Sequence, residues 1–220
     1  MTRHDDLLAA QQRYYSDYAP GYAAWIRDYV APCLPEMVKA IQGARLTGHV
    51  LELAAGSGEF TAILSGIASR VTALDGSAEM LEILGARELA NVTTVQHDIF
   101  TWSPARTWDH IFMANWLAHV PPDLLTGFFG TLGRALRDGG TIVILDVTDK
   151  EKFIERRAYT ENGVPLIERP VDGSLVPVVK VFWDPDDLLA VLRGMGWAGT
   201  ATPIGESIQR GFVLYRLWRR

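Results

Sequence analysis

The sequence contains a single cysteine, Cys33, among its 220 residues. One cysteine cannot form an intramolecular disulfide, so a disulfide-stapled secreted fold is excluded, and a lone thiol fits a reducing cytoplasm. The chain also lacks any run approaching the roughly 20 apolar residues of a membrane-spanning helix. Its first residues, MTRHDDLLAAQQ, lack the apolar segment of a secretory signal. We therefore expect a cytoplasmic protein with no membrane partner.

An excess of positive charge is also absent. The formal net charge is −5 and the pI is near 5.5, which argues against a nucleic-acid-binding surface. No two histidines or cysteines have the spacing of metal ligands, so no protein-bound metal is expected. The length and the 48% apolar content predict one domain over residues 1–220 with a sizeable core. Such a domain is expected to act on a small-molecule substrate, as a monomer or homodimer.

From residue 48 onward, short apolar segments alternate with helical ones. Short apolar strands separated by helices form parallel sheets that are covered on both faces, so this pattern predicts an α/β fold. The glycine pair in LRDGGT, residues 136–141, is typical of a helix stop before a strand. The expected strands are 49–54, 70–75, 92–97, 109–114, 141–147, 199–204 and 211–218, and the expected helices are 59–67, 77–88, 122–137 and 184–197.

Two segments lie outside this alternation. Residues 1–43 read as helical, with a bend near Pro32 and Pro35, and we expect them to form a lid. Residues 150–182 interrupt the alternation of strands and helices and contain Asp172-Gly173, a plausible hairpin turn. We interpret them as an insertion that lies over the site.

The stretch LELAAGSGEF, residues 51–60, joins an expected strand to an expected helix through a glycine turn. Glycine there allows a ligand to approach the backbone, and ligands of open parallel sheets bind at the carboxyl ends of the strands. Asp75 ends the second expected strand, 19 positions after Gly56. A carboxylate at that place can accept hydrogen bonds from ribose hydroxyls. Both dinucleotides and adenosyl cofactors are bound in this way.

Two details favour S-adenosylmethionine over a nicotinamide dinucleotide. Thr61 occupies the position where a dinucleotide fingerprint has its third glycine. Glu52 and Glu59 flank the turn, and acidic groups suit a ligand with an ammonium and a sulfonium better than a pyrophosphate. A nicotinamide-dependent oxidoreductase and a non-catalytic cofactor-binding protein remain as alternatives.

Five segments occur in the order VLELAAGSGEF, VTALDGSAEML, VQHDIF, WDHIFMANWLAHVP and LRDGGTIVILDV. The chain resembles the class I S-adenosylmethionine-dependent methyltransferases in these segments. The YY near the start, WLAHVP, DVTD and VVKVF further resemble small bacterial O-methyltransferases typified by the phosphonate O-methyltransferase of dehydrophos biosynthesis. This resemblance implies a seven-stranded, mostly parallel sheet with helices on both faces and an antiparallel last strand. Ala54 replaces a glycine of the family motif, which we expect to be tolerated if its φ is not positive.

The resemblance also implies residues for the cofactor. Gly56 would line its methionine portion, Asp75 its ribose, and Met80 its adenine. From the residues alone, Met80 can equally be core, and Asp75 or Asp98 can simply cap a helix or a turn. The expected cofactor-contacting residues are Tyr14, Tyr15, Ala54, Gly56, Asp75, Gly76, Ser77, Met80, Asp98, Ile99, Asn115 and Trp116.

His119 follows the fourth expected strand in NWLAHVPP and is the candidate catalytic residue. A neutral hydroxyl must lose a proton when it is methylated, and histidine has an ordinary pKa suited to accepting it. The alternative is a histidine that only orients its neighbours or packs in the core.

The acceptor is expected to contact the N-terminal aromatic residues and the cations of the insertion. A sugar or related hydroxyl is favoured by the aromatic side chains and by His119. The alternative acceptor is an anionic phosphonate or carboxylate oxygen, which arginines would bind and which needs no base. The expected substrate-binding residues are Tyr18, Tyr22, Trp25, Arg157, Arg169 and Lys180.

Overall fold

The computed structural model describes residues 3–150, 158–171, 173–205 and 211–220. The chain begins with three helices, α1 (Arg3–Asp17), α2 (Ala19–Val30) and α3 (Leu34–Gly43), and a 3₁₀ turn (Ala31–Cys33) joins the last two. Pro32 lies in the first turn of the 3₁₀ segment, and Pro35 lies in the first turn of α3. Proline has no N–H to donate, so it is tolerated there and not inside a helix. The predicted bend is confirmed.

The central sheet of the described residues has seven strands in the order β3-β2-β1-β4-β5-β10-β9. Its strands are β1 (His49–Leu53), β2 (Arg70–Asp75), β3 (Val92–Gln96), β4 (Trp108–Ala114), β5 (Leu136–Val147), β9 (Trp197–Ile204) and β10 (Phe212–Arg219). Only β10 runs antiparallel to its neighbours β5 and β9. The chain passes from β1 to β2 on one side and later to β4 on the other, so the order reverses at β1. Ligands of such sheets bind at this reversal.

Both faces of the sheet are buried. Phe112 on β4 belongs to one apolar cluster together with Met37 and Ile41 of α3. The next residue, Met113, belongs to a second cluster that includes Phe129. Successive strand side chains point to opposite faces, so this alternation shows that helices cover the sheet on both sides. The helices that follow the strands are α4 (Glu59–Ser65), α5 (Ala78–Gly85), α6 (Leu125–Ala135) and α7 (Pro185–Gly194).

Several predicted boundaries differ from the structure by a few residues, and the difference is largest at β5. The glycine pair of LRDGGT lies inside the first half of β5, and not between a helix and a strand that begins at 141. A Cβ on Gly140 would come within 2.5 Å of the Asp109 carbonyl oxygen, so only glycine allows β5 to approach β4 there. Gly139 has φ +75, and the pairing of β4 with β5 shifts register near this point.

The segment after β5 forms a three-stranded antiparallel sheet of β6 (Ala158–Glu161), β7 (Val164–Val171) and β8 (Ser174–Val179). Val171 pairs with Ser174 and Gly173 has φ +80, so the predicted hairpin turn is confirmed, although Asp172 lies outside the described residues. This small sheet packs against α1, where Tyr14 contacts Ile167 and Val178. No helix among the described residues has the length and apolar character needed to cross a membrane.

Candidate active site

A cavity of about 340 Å³ opens at the carboxyl ends of β1, β2 and β4. This is the position at which the strand order reverses, and α1 contributes Leu8, Gln11 and Gln12 to its wall. Eleven of the twelve residues that the sequence predicts for the cofactor line it: Tyr15, Ala54, Gly56, Asp75, Gly76, Ser77, Met80, Asp98, Ile99, Asn115 and Trp116. The twelfth, Tyr14, does not line this cavity.

The turn after β1 is built from left-handed backbone. Gly56 has φ +53, and a Cβ placed on it would meet nothing within 4 Å, so its Cα faces open space. A Cβ on Gly58, at φ +83, would lie 2.4 Å from Leu84, so this glycine permits α5 to pack closely. Ala54 also has φ +53, contrary to the condition on which its tolerance was predicted. A left-handed alanine costs roughly 1–2 kcal/mol, so the turn is strained at this residue.

Asp75 ties this turn to α5. Its two carboxylate oxygens accept hydrogen bonds from the backbone N–H of Gly56 at 2.8 Å and of Ser77 at 2.9 Å. Burial raises the pKa of Asp75, and these backbone hydrogen bonds oppose the rise. Ser77 caps α5 by accepting from the Met80 N–H at 3.1 Å, so Asp75 is not itself the helix cap. A carboxylate oxygen has two lone pairs, so Asp75 can still accept hydrogen bonds from a ligand.

The acidic residues beside the turn differ in their access to the cavity. Glu59 lines it and forms an ion pair with Arg87, which also donates to the Ser57 carbonyl oxygen at 2.7 Å. Glu52 is 2% exposed, does not line the cavity, and has one oxygen without a hydrogen-bond partner. The expectation that both carboxylates face a cationic ligand is therefore wrong for Glu52.

At the end of β4, the backbone of Asn115 adopts φ +53 and its N–H donates to the Leu145 carbonyl oxygen at 2.8 Å. The side-chain oxygen of Asn115 and the indole N–H of Trp116 are both buried without a partner. A buried polar atom without a partner costs roughly 1–3 kcal/mol, which a ligand that supplies the hydrogen bond would recover. These two atoms and the open space beside Gly56 fit a bound polar cofactor.

A second cavity of about 400 Å³ lies between the N-terminal helices and the small sheet. Five residues line both cavities and mark their junction: Tyr15, Tyr22, Ile26, Asn115 and His119. The other residues of the second cavity are Tyr14, Tyr18, Trp25, Tyr29, Val147, Arg169, Pro170, Lys180 and Phe182. Five of the six residues predicted to bind the substrate are among its lining, and Arg157 lies outside the described residues.

His119 occupies the junction in a defined tautomer. Its Nδ1 lies 2.7 Å from the Val179 carbonyl oxygen, which can only accept, so Nδ1 carries the proton. Nε2 is then the acceptor, and the Tyr15 hydroxyl donates to it at 3.1 Å. Burial lowers the pKa of His119 well below 6.5, and the charges of Lys180 and Arg169 lower it further. The ring is therefore neutral at physiological pH, and burial raises the pKa of Tyr15 well above 10, so the tyrosine keeps its proton.

Two buried polar residues that the sequence did not single out hold His119 in place. Gln11 accepts from the Val179 N–H at 3.0 Å and donates to the His119 carbonyl oxygen at 3.5 Å, which links α1 to β8. Asp146 accepts from the Ala118 N–H at 3.2 Å. Asp146 comes directly after the apolar run TIVIL, as Asp75 comes after RVTAL. A carboxylate at the end of an apolar strand is therefore the signal that identifies both residues. Nothing in AAQQRYY distinguishes Gln11.

Among the residues that the structure describes, no three histidine, cysteine, aspartate or glutamate side chains gather as a metal-binding group. The two charged side chains that line the second cavity are both cationic. Arg169 and Lys180 line it, and both influence the pKa of His119 at its inner end.

The sheet order, the glycine turn and the cavity at the strand ends are those of the Rossmann-like methyltransferase fold. Residues 50–140 match the methyltransferase-domain family, and the chain belongs to the class I S-adenosylmethionine-dependent methyltransferases. It is similar to DhpI, with 36% identity and a TM-score of 0.86 to the complex with SAH. With the complex of DhpI with SAM and HEP it has 37% identity and a TM-score of 0.87. These alignments cover 99% of this chain and 98% and 100% of DhpI.

Two more distant proteins are also similar to this chain. A demethylmenaquinone methyltransferase of Tropheryma whipplei (strain Twist) is 24% identical over 163 residues, which are 70% of this chain and 67% of that protein. A S-adenosylmethionine-dependent methyltransferase of Clostridium acetobutylicum ATCC 824 has the same fold at 15% identity. Its TM-score is 0.68, over 92% of this chain and 98% of that one. The similarity to the DhpI complexes and the family match show that the cofactor is S-adenosylmethionine, and the nicotinamide alternative is set aside.

Proposed function

We propose that this methyltransferase transfers the methyl group to an anionic oxygen of a small phosphonate or carboxylate. The observation that carries the proposal is the pair of cations, Arg169 and Lys180, in the wall of the second cavity. Guanidinium and ammonium groups bind oxyanions through charge-assisted hydrogen bonds. The chain is similar over 99% of its length to DhpI, whose structure was solved as a complex with SAM and HEP.

The charges around His119 support an anionic acceptor over a neutral one. Arg169 and Lys180 both disfavour the protonated ring, so a proton placed on His119 would meet two nearby positive charges. The Nε2 lone pair already accepts a hydrogen bond from Tyr15. An anionic oxygen can take a methyl group without releasing a proton, so its methylation does not require His119 as a general base.

The first cavity would hold the cofactor. Asp75 would accept hydrogen bonds from the ribose hydroxyls, Met80 and Ile99 would pack against the adenine, and Asp98 would lie at its edge. Asn115, at the junction of the two cavities, and Trp116, in the first cavity, would lie near the sulfonium. When bound, S-adenosylmethionine supplies the methyl group on a positively charged sulfur. The protein would align the two reactants, because its cations would hold the acceptor oxygen in the second cavity, across the junction from the cofactor in the first.

Residues 1–43 would act as a lid. α1 lines the first cavity, and Gln12 donates to the Gly76 carbonyl oxygen at 3.1 Å. Gln11 joins the same helix to β8 and to the His119 loop. Opening of α1 would therefore admit the cofactor, and its closure would exclude water from the reaction.

The proposal is tested by incubating the protein with S-adenosylmethionine and matched acceptors: methylphosphonate, acetate and methyl glucoside. Product masses show which acceptor gains a methyl group. We expect methylation of an acid and not of the glucoside. Arg169→Gln and Lys180→Gln should each lower kcat/KM for the acid by about 10- to 150-fold, the usual worth of a hydrogen bond to a charged group. Methylation of the glucoside alone would overturn the proposal.

A second candidate is methyl transfer to a neutral hydroxyl, such as that of a sugar, with His119 as general base. The hydrogen bond between Tyr15 and His119 favours it, since Tyr15 can pass a proton from an acceptor to Nε2. The two candidates differ in their response to Tyr15→Phe, which removes this relay. The hydroxyl mechanism loses most of its turnover in that variant, whereas an anionic acceptor requires no relay.

A further inference from the structure

The second cavity carries more aromatic surface than an acid group alone requires. Half of its lining residues are tyrosine, tryptophan or phenylalanine. Its volume of about 400 Å³ falls in the range of sites that enclose a whole metabolite, roughly 300–1,000 Å³. A phosphonate or carboxylate group held by two cations fills only part of such a space.

The cations and the exposed rings of this cavity come from different parts of the fold, the small sheet and the N-terminal helices. Lys180 follows Val179, whose carbonyl oxygen accepts a hydrogen bond from His119 at the junction with the first cavity, and Arg169 lines the second cavity from β7. Tyr18 and Trp25 line only the second cavity and are 37% and 42% exposed. They are two of the six large apolar residues that are exposed among the described side chains. The second cavity therefore combines two half-buried cations, one of them next to the His119 contact, with two exposed aromatic rings.

Both exposed rings pack against residues of α2. The Tyr18 ring lies over Gly21 so closely that a Cβ there would come within 2.4 Å of the ring edge. Trp25 is stacked on Tyr29, with ring centroids 4.7 Å apart and an interplanar angle of 21°. A ring that is already ordered loses little conformational entropy when a ligand stacks on it. These rings are thus suited to binding and not only to packing.

We propose that the acceptor is a ring-bearing acid, with its anionic group at Arg169 and Lys180 and a flat aromatic ring against Tyr18 and Trp25. This inference rests on the proposed function, because it assumes that the cations hold the oxygen that is methylated. Burial of an aromatic ring and its offset stacking together correspond to a preference of about 10- to 100-fold in kcat/KM over the same acid without a ring.

The test compares two matched pairs of acceptors, phenylphosphonate with methylphosphonate and phenylacetate with acetate. We expect the wild-type enzyme to favour the ring-bearing member of a pair at least 10-fold. Trp25→Ala should reduce this ratio towards one, and Trp25→Phe should restore part of it. Trp218→Ala is the control, because Trp218 is a similarly exposed tryptophan, 39%, that lines neither cavity. It should leave the ratio unchanged.

Gly21→Ala provides a second route, since it displaces the Tyr18 ring without removing an aromatic side chain. It should also lower the ratio, and calorimetric binding of S-adenosylmethionine verifies that each variant is folded. Equal methylation of both members of each pair, or a ratio that Trp25→Ala and Gly21→Ala leave intact, would overturn this inference while the proposed function stands. If the folded enzyme methylates none of the four acids, the proposed function fails and the inference fails with it.

Discussion

Glu52 should make the stability of the cofactor-free protein fall as the pH rises. Burial in the central strand raises its pKa from 4.5 to about 8, so the folded state holds a proton that the unfolded state releases. The stability that this proton confers is complete below pH 4.5 and is lost progressively up to pH 8. Each pH unit in this window corresponds to about 1.4 kcal/mol. Glu52→Gln removes the titration, because an amide stays neutral.

The free energies of unfolding of the wild type and Glu52→Gln should be measured by urea titration at pH 5, 6, 7 and 8. The free energy of unfolding of Glu52→Gln should increase relative to that of the wild type by about 1.4 kcal/mol for each pH unit. The total over the series should be roughly 4 kcal/mol. Burial also raises the pKa of Asp75 and Asp146, but both proteins contain these groups, so their effects largely cancel. Glu36→Gln, at an exposed position of α3, is the control. A difference that stays constant with pH would show that Glu52 is ionised inside the fold.

Three further predictions concern the site. Asp75→Ala should weaken S-adenosylmethionine binding about 10- to 150-fold, since lost hydrogen bonds to a charged group are worth roughly 1.5–3 kcal/mol; an unchanged calorimetric affinity would place the cofactor elsewhere. Deletion of residues 1–20 should preserve the far-UV circular dichroism of the central sheet but abolish turnover, and a full rate would exclude α1 from the site. His119→Ala should slow methylation of a neutral hydroxyl by about 100- to 10,000-fold while S-adenosylmethionine still binds. Because the pKa of His119 is lowered, the wild-type rate on such an acceptor should rise with pH at values below 6.5 and then stay level. An anionic acceptor should instead retain much of its rate in the variant.

The mostly parallel sheet could be predicted because its signals are local. Each strand is a short apolar run bounded by turn residues, and β2 begins and ends at the predicted residues. Asp75 was predicted on the same basis, since it follows a buried strand at a fixed distance from the glycine turn. A strand that ends at the carboxyl edge of a parallel sheet places the next residue in the crevice.

The conformation of Ala54 and the boundary at Gly139–Gly140 were not predictable in this way. Ala54 adopts φ +53 because the surrounding turn fixes it, against the preference of its own side chain. The glycine pair marks a close approach of β5 to β4, which residues far apart in sequence create. The composition of each segment is compatible with other conformations, and packing selects among them.

By itself, the sequence determined the order of strands and helices, the position of the cofactor turn and the candidate residues along the crevice. Only the tertiary structure decided which of these side chains meet. Tyr15 and His119 are 104 positions apart, and Gln11 and Val179 are 168 positions apart, yet each pair is joined by a hydrogen bond. Such contacts depend on how α1 packs between β8 and the crevice, and no local pattern encodes that arrangement. The same packing brings Arg169 and Lys180 into the wall of the second cavity, so the chemistry of that cavity is a property of the folded chain.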